Sequence, residues 1–487
     1  MIGPRRIAFL CLCVCGMMEP GCASDPRAPT DPAATLKDQD ATTSERQRAV
    51  VSIANDLREG KIEHNAGREA LKRIAWRRSS RTAVRLTAID ALLEDDGPDT
   101  ARMLGLLLPT ETNWDVIARV GDLAVQHAWR GLAPALVRSW SRKVVEPVDA
   151  DRPERAALAA LFPDETVEAV VYRVFATPKD DKLFGDRARL DAWALLQRID
   201  RDGSQTRALL AADTTPDTED PLLADLHAGA RLLGVVPRSA EQLRWLREMR
   251  LPEHRAFWSD AVEAVASLDD SQTRGLALRH ISAVVWARRR EPTWLTLTRD
   301  ELASAVAAEL HGARKHPRTD GVLDFTSSRE TLDAWRDRLS WGDFLLLRIA
   351  NRAIKDPHVD ADLFVQALRD RADTTTEYGG VLDQAGDGFR INGFSPRPTQ
   401  RLGDRRFVAS AQMISASAES LFHYHFHVQR ERNADFAGPG RGDLEYADTS
   451  GRACLVFTSV EGNVLNADYY QPGGARIDLG EVRQPVE

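Results

Sequence analysis

The period of the hydrophobic pattern changes once along this chain, near Asp373, and that change constrains the fold more than any other feature. Before it, apolar residues recur at helical spacing. After it, they alternate with polar ones as in half-buried strands. In 84–93, Leu86, Ile89 and Leu93 mark one helical face, and Ala88, Ala91 and Leu92 widen it. Comparable segments follow at 114–127, 132–140, 166–175, 187–199, 222–233, 254–268, 273–286, 299–310 and 331–354. Breakers such as Asp96-Gly97-Pro98, Pro109, Pro147, Pro163, Pro178, Thr215-Pro216 and Pro357 punctuate them. Short amphipathic helices in series predict an all-α, helical-repeat-like region over 46–357, with a compact irregular helical domain as the competing arrangement.

Residues 81–96 resemble one unit of a HEAT-type repeat, although no strict period runs through the region. All eleven tryptophans fall between Trp76 and Trp341. Pairs such as Trp129 and Trp140, or Trp245 and Trp258, read as core. Arg77-Arg78 and Arg288-Arg289-Arg290 read as solvated faces. No acid, base and nucleophile converge here, so this region is expected to be a scaffold or a protein-partner surface.

Beyond Asp373 there is no tryptophan, but five of the six tyrosines and fourteen of the 31 glycines are found there. Alternating runs occur at 406–413, 421–428, 453–459, 464–470 and 476–482, with glycine turns at Glu461-Gly462-Asn463 and Pro472-Gly473-Gly474. An α+β domain over 358–487 is predicted, led by the amphipathic run 361–371. Its most informative stretch is 422–428, which reads Phe-His-Tyr-His-Phe-His-Val. On a strand, side chains two apart share a face about 6.6 Å from each other. Tyr424, Phe426 and Val428 would then face a core, with His423, His425 and His427 on the other side. A solvated polar face is one reading. The other is a metal site, because a His-x-His pair offers two imidazoles from one strand.

The order of groups around this strand resembles the JAMM (MPN/JAB-type) metallopeptidase domain. After the leading helix comes Glu377-Tyr378-Gly379-Gly380-Val381-Leu382, matching a glutamate ahead of a Gly-x-Leu strand. His425 and His427 follow, then Pro439-Gly440-Arg441-Gly442-Asp443-Leu444, where the family has Ser-x-x-Asp, and then two further strands. The resemblance covers about the last quarter of the chain. It implies a mixed β-sheet with flanking helices, with His425, His427 and Asp443 holding Zn2+ and Glu377 acting as general acid/base. Gly440 stands in the place of the family's serine, and the gap from His427 to Asp443 is longer than the family pattern. Backbone N–H groups of the glycine-rich turn at Gly440 are expected to serve as oxyanion donors instead. Asp435 competes as third ligand and Glu419 as base, while His423 is expected behind the ligands or facing solvent. The Arg441-Gly442-Asp443 adhesion tripeptide carries little weight.

The implied function is zinc-dependent hydrolysis of a peptide or isopeptide bond in a peptide or protein substrate. A catalytically inactive JAMM-like binding or assembly module is the alternative, and a purely structural lipoprotein a third reading. At the N-terminus, Arg5 and Arg6 precede an apolar run, 7–18, that is short for a bilayer span. Residues 1–22 read as a signal peptide, and Glu19-Pro20-Gly21-Cys22 resembles a bacterial lipoprotein site with Cys22 lipidated. Residues 23–45 read as a disordered tether. The chain is thus expected to be exported, as a membrane-anchored lipoprotein or a periplasmic protein, which favours an extracytoplasmic peptide or other amide over a ubiquitin-like substrate. Cys454 alone lies in the folded part, so an internal disulfide framework is excluded. A net charge of −8 gives no support for nucleic-acid binding.

Overall fold

The computed structural model of the 487-residue chain describes residues 31–177, 185–214, 220–317, 330–394, 399, 401, 403 and 407–485. Two compact units are present, Met1–Ser139 and Trp140–Glu487.

The first unit is built from helices that start where local chemistry satisfies their first N–H groups. Thr42 and Glu45 form a capping box at Thr43–Arg58. Asp96 accepts from the Asp99 N–H at Gly97–Leu107, so Asp96-Gly97-Pro98 opens a helix rather than only ending one. Thr82–Asp95 packs on Thr43–Arg58 and His64–Trp76, and it fills 81–96 as a single helix. Its Arg85 is buried in an ion pair with Glu111 and donates from Nε to the Ala75 carbonyl at 2.8 Å. The stretch expected as a tether is helical in its described part. Asp31 caps Pro32–Lys37, and Thr42 starts the next helix within 23–45. Residues 1–30, with the expected signal peptide and Cys22, lie outside the described residues.

The second unit is a helical region followed by an α+β part. Its sheet consists of β1 (Gly379–Ala385), β2 (Gly388–Gly393), β3 (Phe422–His427), β4 (Cys454–Glu461), β5 (Val464–Tyr470) and β6 (Arg476–Arg483). The six strands run in the order β2-β1-β3-β4-β5-β6, and only β3 and β4 are parallel. Helices relevant to the sheet are α1 (Ala240–Met249), α2 (Leu278–Arg290), α3 (Trp341–Ala353), α4 (Pro357–Ala372) and α5 (Arg441–Ser450).

The hydrophobic core of this unit is continuous across 357. Met249, Trp286 and Phe344 from the helices share one buried core with Phe422, Phe426, Phe457 and Tyr469 from the sheet. The sheet has too many aromatics on this face to leave it in water, and the preceding helices cover it. Trp286 stacks on Phe389 with ring centroids 5.3 Å apart. Asp356 caps α4 and also accepts the Phe389 N–H at 3.0 Å, fastening helix to strand. At α1, the Trp245 indole donates to the Ala418 carbonyl at 2.9 Å and lies under the Arg452 guanidinium.

The strands expected at 421–428, 453–459, 464–470 and 476–482 are β3 to β6. The run 406–413 is not a strand in its described part, because Ser410 accepts the Met413 N–H and starts a helix, Ala411–Ala416. Two close approaches fix the glycines of β1. A Cβ on Gly380 would stand 1.9 Å from the Asn392 carbonyl oxygen of β2, and one on Gly379 would stand 2.5 Å from the Phe407 ring. Gly380→Ala is therefore expected to cost about 1–3 kcal/mol by forcing β1 and β2 apart. Chemical denaturation of the purified variant measures this, and an unchanged midpoint would show that the strands yield freely.

Candidate metal centre

β3 is interior to the sheet, with Gly379 of β1 opposite His425 on one side and Val456 of β4 on the other. Its alternation sends Tyr424 and Phe426 into the core shared with the helices, and both are buried. The imidazoles point to the other face, which is also covered. There α5 packs through Ala447 against Cys454, Val456 and Tyr470. His423 and His425 are consequently as buried as the aromatics, and only His427 retains partial exposure.

Asp443 reaches this face from the first turn of α5. Gly440 is the N-cap, and its N–H donates to Asp443 Oδ2 at 2.7 Å, holding the carboxylate over the histidines. A carboxylate in the first turn is also favoured by the helix dipole. His425 Nε2 lies 3.3 Å from His427 Nε2 and 3.3 Å from Asp443 Oδ1, and His427 Nε2 lies 3.7 Å from Asp443 Oδ2. Donors at 2.0–2.1 Å from one tetrahedral zinc would stand about 3.3 Å apart. The spacing fits a metal.

The far sides of the rings support that fit. His427 Nδ1 is 3.3 Å from the Phe436 carbonyl, which can only accept, so Nδ1 carries a proton and Nε2 is the nitrogen turned to the site. His425 Nδ1 is 3.4 Å from the Tyr470 hydroxyl, and Phe407 stacks on the His425 ring with centroids 5.8 Å apart. Burial alone would depress the His425 pKa, but the Asp443 carboxylate overrides this and raises it. Burial would raise Asp443, and His425 and His427 instead hold it well below the usual carboxylate range. The site thus favours positive charge at its centre, whether a proton or a metal ion supplies it.

Glu377 immediately precedes the stretch leading into β1. It is buried, it accepts from Gln429 Nε2 at 3.1 Å, and its charge contributes to raising His425. Glu377, His425, His427, Asp443 and Gly440 line one cleft of about 1330 Å³. The sequence-derived set is therefore brought together. Among the described residues, His425, His427 and Asp443 are the one group of three spaced to hold a metal ion.

The rivals lie elsewhere. Asp435 is exposed on the short turn Ala434–Phe436 and outside the ligand group. Glu419 is exposed and bonded to His254 Nδ1 at 2.7 Å. His423 does not face solvent: its Nδ1 pairs with the Tyr446 hydroxyl at 2.7 Å, and its buried Nε2 has no partner. The adhesion tripeptide is the first turn of α5, with its aspartate turned to the histidines. The oxyanion role expected for Gly440 is also changed, since its N–H is committed to Asp443.

Sequence reasoning missed Gln429, Phe436, Tyr446, Tyr470 and Phe407. A signal existed only for Gln429, which continues the alternation of His423, His425 and His427 by one more polar position. No protein-family model, curated protein or solved structure matches the chain.

Because His423 already has one unpaired nitrogen, Tyr446→Phe would leave the buried ring without any partner. A loss of about 1–3 kcal/mol in unfolding free energy is expected, with metal affinity unchanged. A variant as stable as wild type would assign His423 no structural load.

Proposed function

We propose that the C-terminal part of this chain is a JAMM-type metal-dependent hydrolase acting on a peptide or isopeptide bond. The observation that carries this is the convergence of two imidazole Nε2 atoms and one carboxylate, spaced as zinc ligands, in a cleft that also holds Glu377. The sequence of a helix, a glutamate ahead of β1, paired histidines on β3 and an aspartate at the start of α5 supports the same family reading.

His425, His427 and Asp443 would hold the ion. When bound, zinc supplies an acidified water, with its pKa drawn from about 15.7 to roughly 7. The chain supplies the rest. Glu377 presents a carboxylate fixed by the Gln429 amide, positioned to accept a proton and return it to the leaving amine. Phe407 and Tyr470 wall the His425 imidazole, which limits water around it and strengthens its charge interactions in the cleft. Phe436 and Gly440 keep a ring and the aspartate in their ligand orientations through backbone groups.

One observation favours a second reading, an inactive binding or assembly module. Gly440 replaces the serine of the family pattern, and its N–H serves Asp443 rather than a developing oxyanion. The readings differ in what a metal-loaded chain does. Elemental analysis of protein purified without chelator should find about one zinc per chain, lost in His425→Ala. Glu377→Gln should keep the metal and lose about 10²–10⁴-fold in hydrolysis of a peptide library followed by mass spectrometry. A metal-free wild-type chain would sink both readings of the site as a zinc centre. A loaded wild type that cleaves nothing would leave the binding module.

Export is part of the proposal. The apolar run 7–18 followed by Glu19-Pro20-Gly21-Cys22 supports a lipid on Cys22 as the attachment. Mass spectrometry of detergent-extracted protein is expected to show cleavage before Cys22 and a diacyl adduct on it. An uncleaved, water-soluble chain would contradict export.

A further inference from the structure

We infer that the cleft takes a substrate bearing a carboxylate close to the scissile amide, and that Arg430 is the residue that reads it. This rests on the metal-hydrolase reading above and extends it to substrate class. Arg430 lines the cleft with Glu377, His425, His427 and Asp443, and it is the one arginine or lysine that does so among the described residues. It makes no hydrogen bond or ion pair to another described residue. Other charges in the cleft are already matched. Glu445 is paired with Arg441 at 2.9 Å, and a divalent ion would offset Asp443 and Glu377. The Arg430 guanidinium is the charge left over.

An exposed arginine is ordinarily just solvated. What distinguishes this one is the rigidity of its base. On one side of it, the Val428 carbonyl accepts from Arg371 Nε at 3.1 Å, and Gln429 is tied to Glu377. On the other, the Glu431 carbonyl accepts from Ser459 Oγ at 2.8 Å, and the Asn433 N–H donates to the Ser459 carbonyl at 2.8 Å. Asn433 Nδ2 then bridges to the His427 carbonyl and Gln429 Oε1, both at 3.2 Å. The turn is fastened to the strand that carries the ligands and to the base, so the backbone from which the Arg430 side chain springs is fixed beside the cleft. Binding an anion there costs little ordering of the backbone. A planar guanidinium also suits a carboxylate, which it can engage with two parallel hydrogen bonds. Either a C-terminal carboxylate or a Glu or Asp side chain supplies that group.

The test uses the zinc-loaded full chain and three matched peptide hydroxamates, which anchor on the metal by chelation. One ends in a free carboxylate, one in an amide, and one in an amide beside a glutamate side chain. Calorimetric titration should show at least one carboxylate form binding about five- to tenfold tighter than the neutral amide. Which of the two gains identifies the source of the carboxylate. In Arg430→Gln that preference should vanish while the neutral hydroxamate binds as before, and Arg430→Lys should restore part of it. Equal binding of all three to wild type would overturn the inference and leave the metal site standing, as would a preference that survives in Arg430→Gln. Failure of every hydroxamate to bind a loaded chain would overturn the hydrolase reading together with this one.

Discussion

The C-terminal sheet depends on burying imidazoles and a carboxylate together. Taking a charge out of water costs several kcal/mol unless its partner is close and its remaining valences are met. Asp443 meets this condition with the Gly440 N–H on one side and two rings on the other. Remove the histidines, and Asp443 becomes a lone anion under α5. Remove Asp443, and the two Nε2 atoms face each other at 3.3 Å with nothing between them to share. The triad is thus a structural element as much as a chemical one, and it fixes where α5 can lie on the sheet.

That constraint reaches the helices through β3. With one face of β3 given over to histidines, its apolar packing falls to Phe422, Tyr424 and Phe426 on the other, and these are met by residues far earlier in the chain. Tyr424 also donates its hydroxyl to Gln366 of α4, so its polar end is satisfied within the same layer. The helical region of this unit is then the second half of the core of the sheet. A sheet cut out at 358 would expose the face that α2 and α3 cover.

The parts of the fold and of the site were legible to different degrees, for physical reasons. β3 to β6 announce themselves by period-two alternation or by nearly unbroken apolar runs between glycine turns, as in Val464–Tyr470. His425 and His427 were visible because residues two apart on a strand must share a face. Glu377 and Asp443 carry no such local signature, and only the resemblance to an ordered family pattern singled them out. α5 was hidden because Gly440 and Gly442 suggest a turn, whereas the Gly440 N–H is satisfied by Asp443 three residues on, which starts a helix. β2 was missed because it is short: Phe389 and Ile391 alternate with polar residues in Gly388–Gly393, but two apolar positions between glycines are too few to stand out. The core shared across 357 was not legible, because period reports secondary structure, not which surfaces bury each other.

The segment between His427 and Asp443 shows why length alone is a poor guide to whether a site closes. A connection of this length would loosen the ligand set if it were slack. Instead, each half has a task. The first half is pinned to α4, β3 and β4 by Arg371, Asn433 and Ser459, and it brings Gln429 to Glu377. The second half turns through Ala434–Phe436, where the Phe436 carbonyl sets the His427 tautomer, and then through buried Ala437 and Gly438 to the cap at Gly440. Gly438 has φ of +80°, which a side chain would resist, and this bend turns the chain back to the histidines. The hydrogen bond that holds Glu377, the orientation of the ligands and the arginine at the cleft thus all come from this one stretch. The stretch is held by its own hydrogen bonds to the sheet and to α4, and it returns the chain to the histidines at Gly440.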